Sequence, residues 1–183
     1  IASVSFTDSI TGIGEFAFSS NQLTSLVIPD SVTGGIGRYA FENNKLANVT
    51  LPSGLSEIAD GVFRNNRLIS VTIPESVTSI NRSAFSNNRL SSITIPENVT
   101  SIGPVAFSYN ELTSVVIPSG VTDIAISVFT GNLLSSVTLP NTLKTIGRSA
   151  FRGNRLTTID IPDGVISIGE SAFQQNQLTH IAL

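Results

Sequence analysis

The stretch "NNRLISVTIPESV", residues 65–77, returns as "NNRLSSITIPENV" at 87–99, so two segments 22 residues apart share most of their positions. A fixed period of this length marks stacked structural units rather than one globule. The residue that opens each unit is Ile1, then Leu23, Leu46, Leu68, Leu90, Leu112, Leu134, Leu156 and Leu178, at steps of 22 with a single step of 23. The longer step falls in "SVTGGIG", residues 31–37, where one residue is added beside a glycine pair and a local bulge is expected. The period predicts one solenoid domain of about eight coils (1–22, 23–45, 46–67, 68–89, 90–111, 112–133, 134–155, 156–177) with a partial coil at 178–183.

The unit reads L-x-x-V-x-I-P-x-x-V-x-x-I-G-x-x-A-F-x-x-N-x, and each fixed position has a physical task. Val71 and Ile73 alternate with Ser70 and Thr72, the period-two pattern of a strand with one dry and one wet face. Pro74 lacks the N–H that a continuing strand needs and ends it. A second extended piece follows around residues 77–80. The residue after Ile80 and its equivalents, often glycine, is expected to open a single helical turn that carries Ala84 and Phe85 inward. Phe18, Phe41, Phe63, Phe85, Phe107, Phe129, Phe151 and Phe173 recur at one repeat position and should form a spine. A coil of 22 residues buries too little apolar surface to fold alone, so stability requires stacking. Asparagine recurs at 21, 44, 66, 88, 110, 132, 154 and 176, and we read it as structural: an inward amide satisfies backbone groups of its own and the next coil.

These residues resemble the leucine-rich repeat of the BspA-like, treponemal-type class over essentially the whole chain. Many members of that class carry cysteine where this sequence has asparagine, as at Asn66 and Asn88. The resemblance implies a mainly β, right-handed leucine-rich-repeat solenoid with a parallel β-sheet and one short helical turn per coil. It also implies a non-catalytic extracellular or cell-surface setting and adhesion to a host or extracellular-matrix protein or glycan. A structural spacer is the alternative, and an ice-binding solenoid a more distant one, because outward hydroxyl pairs resemble flat threonine arrays.

Composition narrows the chemistry. Forty per cent apolar and 13% charged residues suit a folded chain, and no run of apolar residues is long enough to span a membrane. The absence of cysteine excludes disulfides and thiol chemistry, and the absence of methionine suggests a piece of a longer or processed protein. A net charge of −3 argues against a nucleic-acid partner. His180 is the only histidine, which leaves no triad or common zinc set, so neither catalysis nor a metal or cofactor is expected. Gly35, Gly37 and Ala40 match a dinucleotide-loop string, but the long helix that such a loop opens is missing.

Binding candidates therefore come from the outward positions. The strand presents Ser70/Thr72, Ser92/Thr94, Ser114/Val116, Ser136/Thr138 and Thr158/Asp160, a flat polar row. The turn ridge holds nine of the ten basic residues against five acids, a local excess of +4 on a net-negative chain. Two groups stand out: Arg64, Arg67, Arg82 and Arg89, then Arg148, Arg152 and Arg155. Arg148 and Arg152, four apart, would share a face if the turn is helical. Guanidinium forks suit sulfate and carboxylate partners. Since no polar cap is evident at either end, end-to-end self-association is a further expectation.

Overall fold

The alternation of branched apolar residues with serine and threonine produces short strands wherever adjacent coils come into register. A computed structural model describes residues 1–182; Leu183, the end of the expected partial coil, lies outside the described residues. On one face the strands are β1 (Ser25–Val27), β2 (Asn48–Thr50), β6 (Ser114–Val116), β8 (Ser136–Thr138), β10 (Thr158–Asp160) and β12 (His180–Ala182). On a second face lie β3 (Glu57–Ile58), β4 (Ser79–Ile80), β5 (Ser101–Ile102), β7 (Asp123–Ile124), β9 (Thr145–Ile146) and β11 (Ser167–Ile168). All pairings are parallel and join equivalent positions of successive coils, as in Ser114↔Ser136 and Ile80↔Ile102. The chain is thus a mainly β, parallel solenoid.

The core is a column. Each repeat leucine from Leu23 to Leu156 is fully buried, and so is each phenylalanine from Phe41 to Phe151. The eight repeat phenylalanines stack with ring centroids 5.4 to 5.9 Å apart and planes within 15° of parallel. Phe6 meets Phe18 edge-on at 5.6 Å and closes the column on that side. Beside the rings runs the asparagine ladder. Asn88 Oδ1 accepts from the Leu68 N–H at 2.9 Å, while its Nδ2 donates to the carbonyls of Phe63 (2.9 Å) and Phe85 (3.0 Å). The same pattern holds at Asn44, Asn66, Asn110, Asn132, Asn154 and Asn176. Each amide ties its own coil to the preceding one, not to the next as expected, because its Nδ2 reaches back to the phenylalanine carbonyl 25 residues earlier; the recurrent asparagine is structural.

The expected helical turn is replaced by tight turns, and no described residue is helical. In the coil containing Phe85, the N–H groups of Ser83, Phe85 and Asn87 donate to the carbonyls of Pro104, Ala106 and Ser108 in the next coil. Between them, Ala84 and Ser86 donate within their own coil to Asn81 and Ser83. A helix would direct all these groups along its own axis. Left-handed residues at Ser83 (φ 55°) and Asn87 (φ 55°) turn alternate peptides toward the neighbouring coil instead. Stacked coils gain a continuous ladder this way, whereas an isolated helical turn gains one or two bonds for a costly nucleus. Pro104 is tolerated because its position contributes no N–H to this ladder; in the previous coil the equivalent Arg82 N–H goes to Asp60 Oδ1 at 3.0 Å.

The residue added near Gly34 is absorbed in a turn that includes Gly35 in the left-handed region (φ 86°), and pairing there shrinks to a single bridge, Ile13↔Ile36. A second correction concerns residues 70–73 and 92–95. These stretches carry the strand pattern but form no ladder. At the start of the strand face, the bond from each coil to the one before lengthens from 2.9 Å at Ala47 to 3.3 Å at Ile69, 3.5 Å at Ser91 and 3.4 Å at Thr113, then returns to 2.9 Å at Ser135. On the second face the same coils stay tightly paired as β3, β4 and β5. The coils therefore fan apart on the strand face at mid-chain.

Candidate interaction surface

Because the inward positions are consumed by the core and by backbone hydrogen bonding, only outward side chains remain to meet a partner. Ser70, Thr72, Ser92, Thr94, Ser114, Ser136, Thr138 and Thr158 are all exposed on the strand face, as the alternation requires. They do not form one flat row. Ser70, Thr72, Ser92 and Thr94 flank a groove of about 340 Å³ between two unpaired stretches, with Glu75 and Pro96 at its margin. A neighbouring groove of about 220 Å³ includes Thr94, Glu97, Ser114 and Val116. The exposed Val27 and Val116 interrupt the hydroxyls further. This broken register is unlike the flat array that an ice-facing surface requires.

On the second face Asp123 accepts hydrogen bonds from the hydroxyls of Thr145 (2.5 Å) and Thr122 (2.7 Å), and these hold its carboxyl below the usual range. It stays charged, which adds to the negative balance away from the ridge.

The turn ridge carries the basic residues, and inter-coil pairing sorts them. Arg38 faces Asp60 at 3.7 Å, Arg64 faces Glu42 at 3.3 Å and Arg148 faces Glu170 at 3.6 Å. Among the described residues, Lys45, Arg67, Arg82, Arg89, Arg152 and Arg155 form no ion pair. Lys45, Arg67 and Arg89 occupy one repeat position in three successive coils, are exposed, and are anchored alike: their N–H groups donate to Leu23, Leu46 and Leu68. Stacked coils at the ~4.8 Å spacing of paired strands make them a column of like charge. Arg155 shares the position but is separated from the column by Glu111 and Leu133. Arg148 and Arg152 do not share a helical face, because left-handed Ser149 (φ 54°) lies between them. Arg148 turns to Glu170, and Arg152 Nε donates to Gln175 Oε1 at 3.3 Å.

Sequence reasoning left Lys45 out of the binding set, although its register with Arg67 and Arg89 is visible in the repeat. It also passed over the position held by Ser20, Asn43, Asn65, Asn87, Tyr109, Gly131, Gly153 and Gln175, where the side chain vanishes twice in succession. Among the described residues no helix is long and apolar enough to cross a membrane, and no three His, Cys, Asp or Glu side chains cluster as metal ligands do.

Parallel coils of this length, with a buried leucine opening each and a ladder amide closing it, define a leucine-rich-repeat solenoid. The chain belongs to the BspA-type leucine-rich repeat family, whose region model matches residues 1–113 and 100–183. Among solved structures it is similar to a leucine-rich repeat protein from Bacteroides ovatus, with 27% identity and a TM-score of 0.65 over 90% of this chain and 50% of that one. It is also similar in fold to the pneumococcal vaccine antigen PcpA, with 19% identity and a TM-score of 0.52 over 95% of this chain and 60% of that one. The chain thus spans about half to three-fifths of the length of these two structures. No curated protein matches it.

Proposed function

We propose that this solenoid is a non-catalytic interaction segment of a secreted or cell-surface protein, and that it binds an anionic host or matrix protein or glycan through its turn ridge. The observation that carries this reading is the sorting of charge: Lys45, Arg67 and Arg89 stand in register, exposed and without carboxylate partners, beside Arg82 on the same ridge. A row of cations on a net-negative chain concentrates an anionic ligand locally while repelling it elsewhere. Family membership supports the surface setting and the interaction role. Arg64 and Arg148, already paired, contribute less than the unpaired arginines.

The test is a binding screen of the full-length parent against matrix proteins and sulfated glycans such as heparin. Binding should weaken steeply as salt rises. An Arg67→Ser/Arg82→Ser/Arg89→Ser variant should lose at least tenfold in affinity while keeping its fold, since all three side chains are exposed. A partner that binds this variant as tightly as the parent, with no salt dependence, would move the interface to the strand-face grooves around Ser70, Thr72, Ser92 and Thr94.

A further inference from the structure

One repeat position on the ridge is left-handed in every coil: Ser20, Asn43, Asn65, Asn87 and Tyr109 at φ 54–56°, Gly131 and Gly153 at 69° and 68°, and Gln175 at 59°. A left-handed residue is commonly glycine or asparagine. In the early coils asparagine fills the position and forms its own ladder, with Asn65 Nδ2 donating to Asn43 Oδ1 (2.8 Å) and Asn87 Nδ2 to Asn65 Oδ1 (2.9 Å). Two successive glycines then delete the side chain. The result is a notch of about 200 Å³ lined by Tyr109, Thr130, Gly131, Arg152, Gly153 and Gln175.

Each lining group has a defined state. The Tyr109 ring lies across Gly131, where an added Cβ would come within 2.7 Å of ring Cδ1, so that glycine is what lets the ring settle there. Gly153 is different: a Cβ there would meet nothing closer than 3.8 Å, so a side chain would fit in ordinary contact and its absence leaves that room unfilled. The floor is firm, because Tyr109, Gly131 and Gly153 donate to the carbonyls of Thr130, Arg152 and Gln174 at 2.8 to 2.9 Å. Thr130 spends its proton on the Ser149 carbonyl at 2.6 Å and can only accept from a ligand. Gln175 takes the Arg152 Nε at 3.3 Å, which orients the guanidinium, while its terminal nitrogens make no hydrogen bond among the described residues.

From this arrangement we infer that the notch binds one carboxylate-bearing sugar ring, a hexuronate unit of a longer glycan. The apolar C–H face of a pyranose matches the exposed aromatic wall, its carboxylate matches the two free guanidinium nitrogens, and a ring hydroxyl can donate to Thr130. The volume falls below the roughly 300–1,000 Å³ of drug-sized pockets, so a single ring is the fitting occupant and its affinity alone is on the order of millimolar. An acidic peptide would use the arginine but leave the ring idle. Tyr39, which covers Gly61 in the same manner, offers no such site because Phe16 stacks on it at 5.1 Å.

This inference rests on the reading of the chain as an interaction segment and names a ligand class for it. The test is an amide-shift titration of the labelled chain with methyl β-D-glucuronide and methyl β-D-glucoside. Glucuronide should shift the amides of Thr130, Gly131 and Gly153, and glucoside should bind at least fivefold more weakly. Gly153→Asn, which refills the notch with the ladder residue of the earlier coils and suits the same backbone, should abolish binding. Arg152→Gln should erase the preference for the charged sugar. Unperturbed notch amides, undiminished binding by the Gly153→Asn variant, or equal shifts with acetate alone would each overturn the notch. If heparin still shifts the amides of Lys45, Arg67 and Arg89 in those cases, the broader reading stands without it; if heparin also fails, that reading loses its anionic-glycan arm as well.

Discussion

At the scale of the residue, the ladder asparagine performs a task open to few side chains. It must accept one buried N–H and donate to two or three carbonyls at once, and a carboxamide has both functions on one short stem. Asn88 reaches Leu68, Phe63 and Phe85 in a site that is 8% exposed. Truncation leaves those groups unmet where water enters poorly, at about 1–3 kcal/mol for each uncompensated group. Asn88→Ala should therefore destabilise the chain by about 3 kcal/mol or more in urea unfolding, while Ser92→Ala on the exposed strand face should stay within about 0.5 kcal/mol. Similar losses for the two variants would mean that the ladder does not bear the load assigned to it. The identity of this residue as structural was legible from its strict recurrence. Its partner in the preceding coil was not, because the sequence does not say which neighbour an inward amide reaches.

At the scale of the element, the coils are held by ladders on the strand face, the second face and the turn ridge, and the ridge is more continuous than the strand face. Its inter-coil bonds, such as Ser83 to Pro104, Phe85 to Ala106 and Asn87 to Ser108, lie at 2.9–3.0 Å in the same coils where the strand face opens. The Ile28 N–H donates to Thr50 at 3.1 Å and the Ile117 N–H to Thr138 at 3.0 Å. Their equivalents Ile73 and Ile95 have no such partner among the described residues. Hydrogen exchange should then be at least about tenfold faster at Ile73 and Ile95 than at Ile28 and Ile117, since unbonded amides exchange without local opening. Equal protection would show that the strands close in solution. Nothing in the sequence forecasts this split: residues 70–73 read as well for a strand as residues 114–117, because ladder formation depends on coil spacing and not on local pattern. The tight turn reads as helical in the sequence for a related reason. Left-handed serine, asparagine and tyrosine leave no signature as clear as glycine, so the spacing of Ala84 and Phe85 alone suggested a helix. The ridge arginines were legible as outward, but their pairing with Glu42, Asp60 and Glu170 required the stack.

At the scale of the whole molecule, stability is a sum over coils and the interfaces between them, so the same substitution should matter according to where it falls. Phe85 is fully buried and stacked on both sides, 5.7 Å from Phe63 and 5.6 Å from Phe107. Phe6 is half-buried and packs at the edge of the core, with its ring meeting one phenylalanine, Phe18, edge-on. Removing a buried ring costs about 3–5 kcal/mol through lost transfer energy and the cavity left behind. At Phe85 that loss falls on both flanking interfaces and weakens the coupling between the two halves of the array. Phe85→Ala should lower the urea midpoint sharply, and it should separate the unfolding of the two halves when followed by amide signals on either side. With Phe6→Ala, protection should be lost near residues 1–22 while the main transition keeps the urea midpoint of the parent. If the two variants shifted the midpoint equally and kept a single transition, the column would be acting as one indivisible core, and the coil-by-coil account of this solenoid would fail.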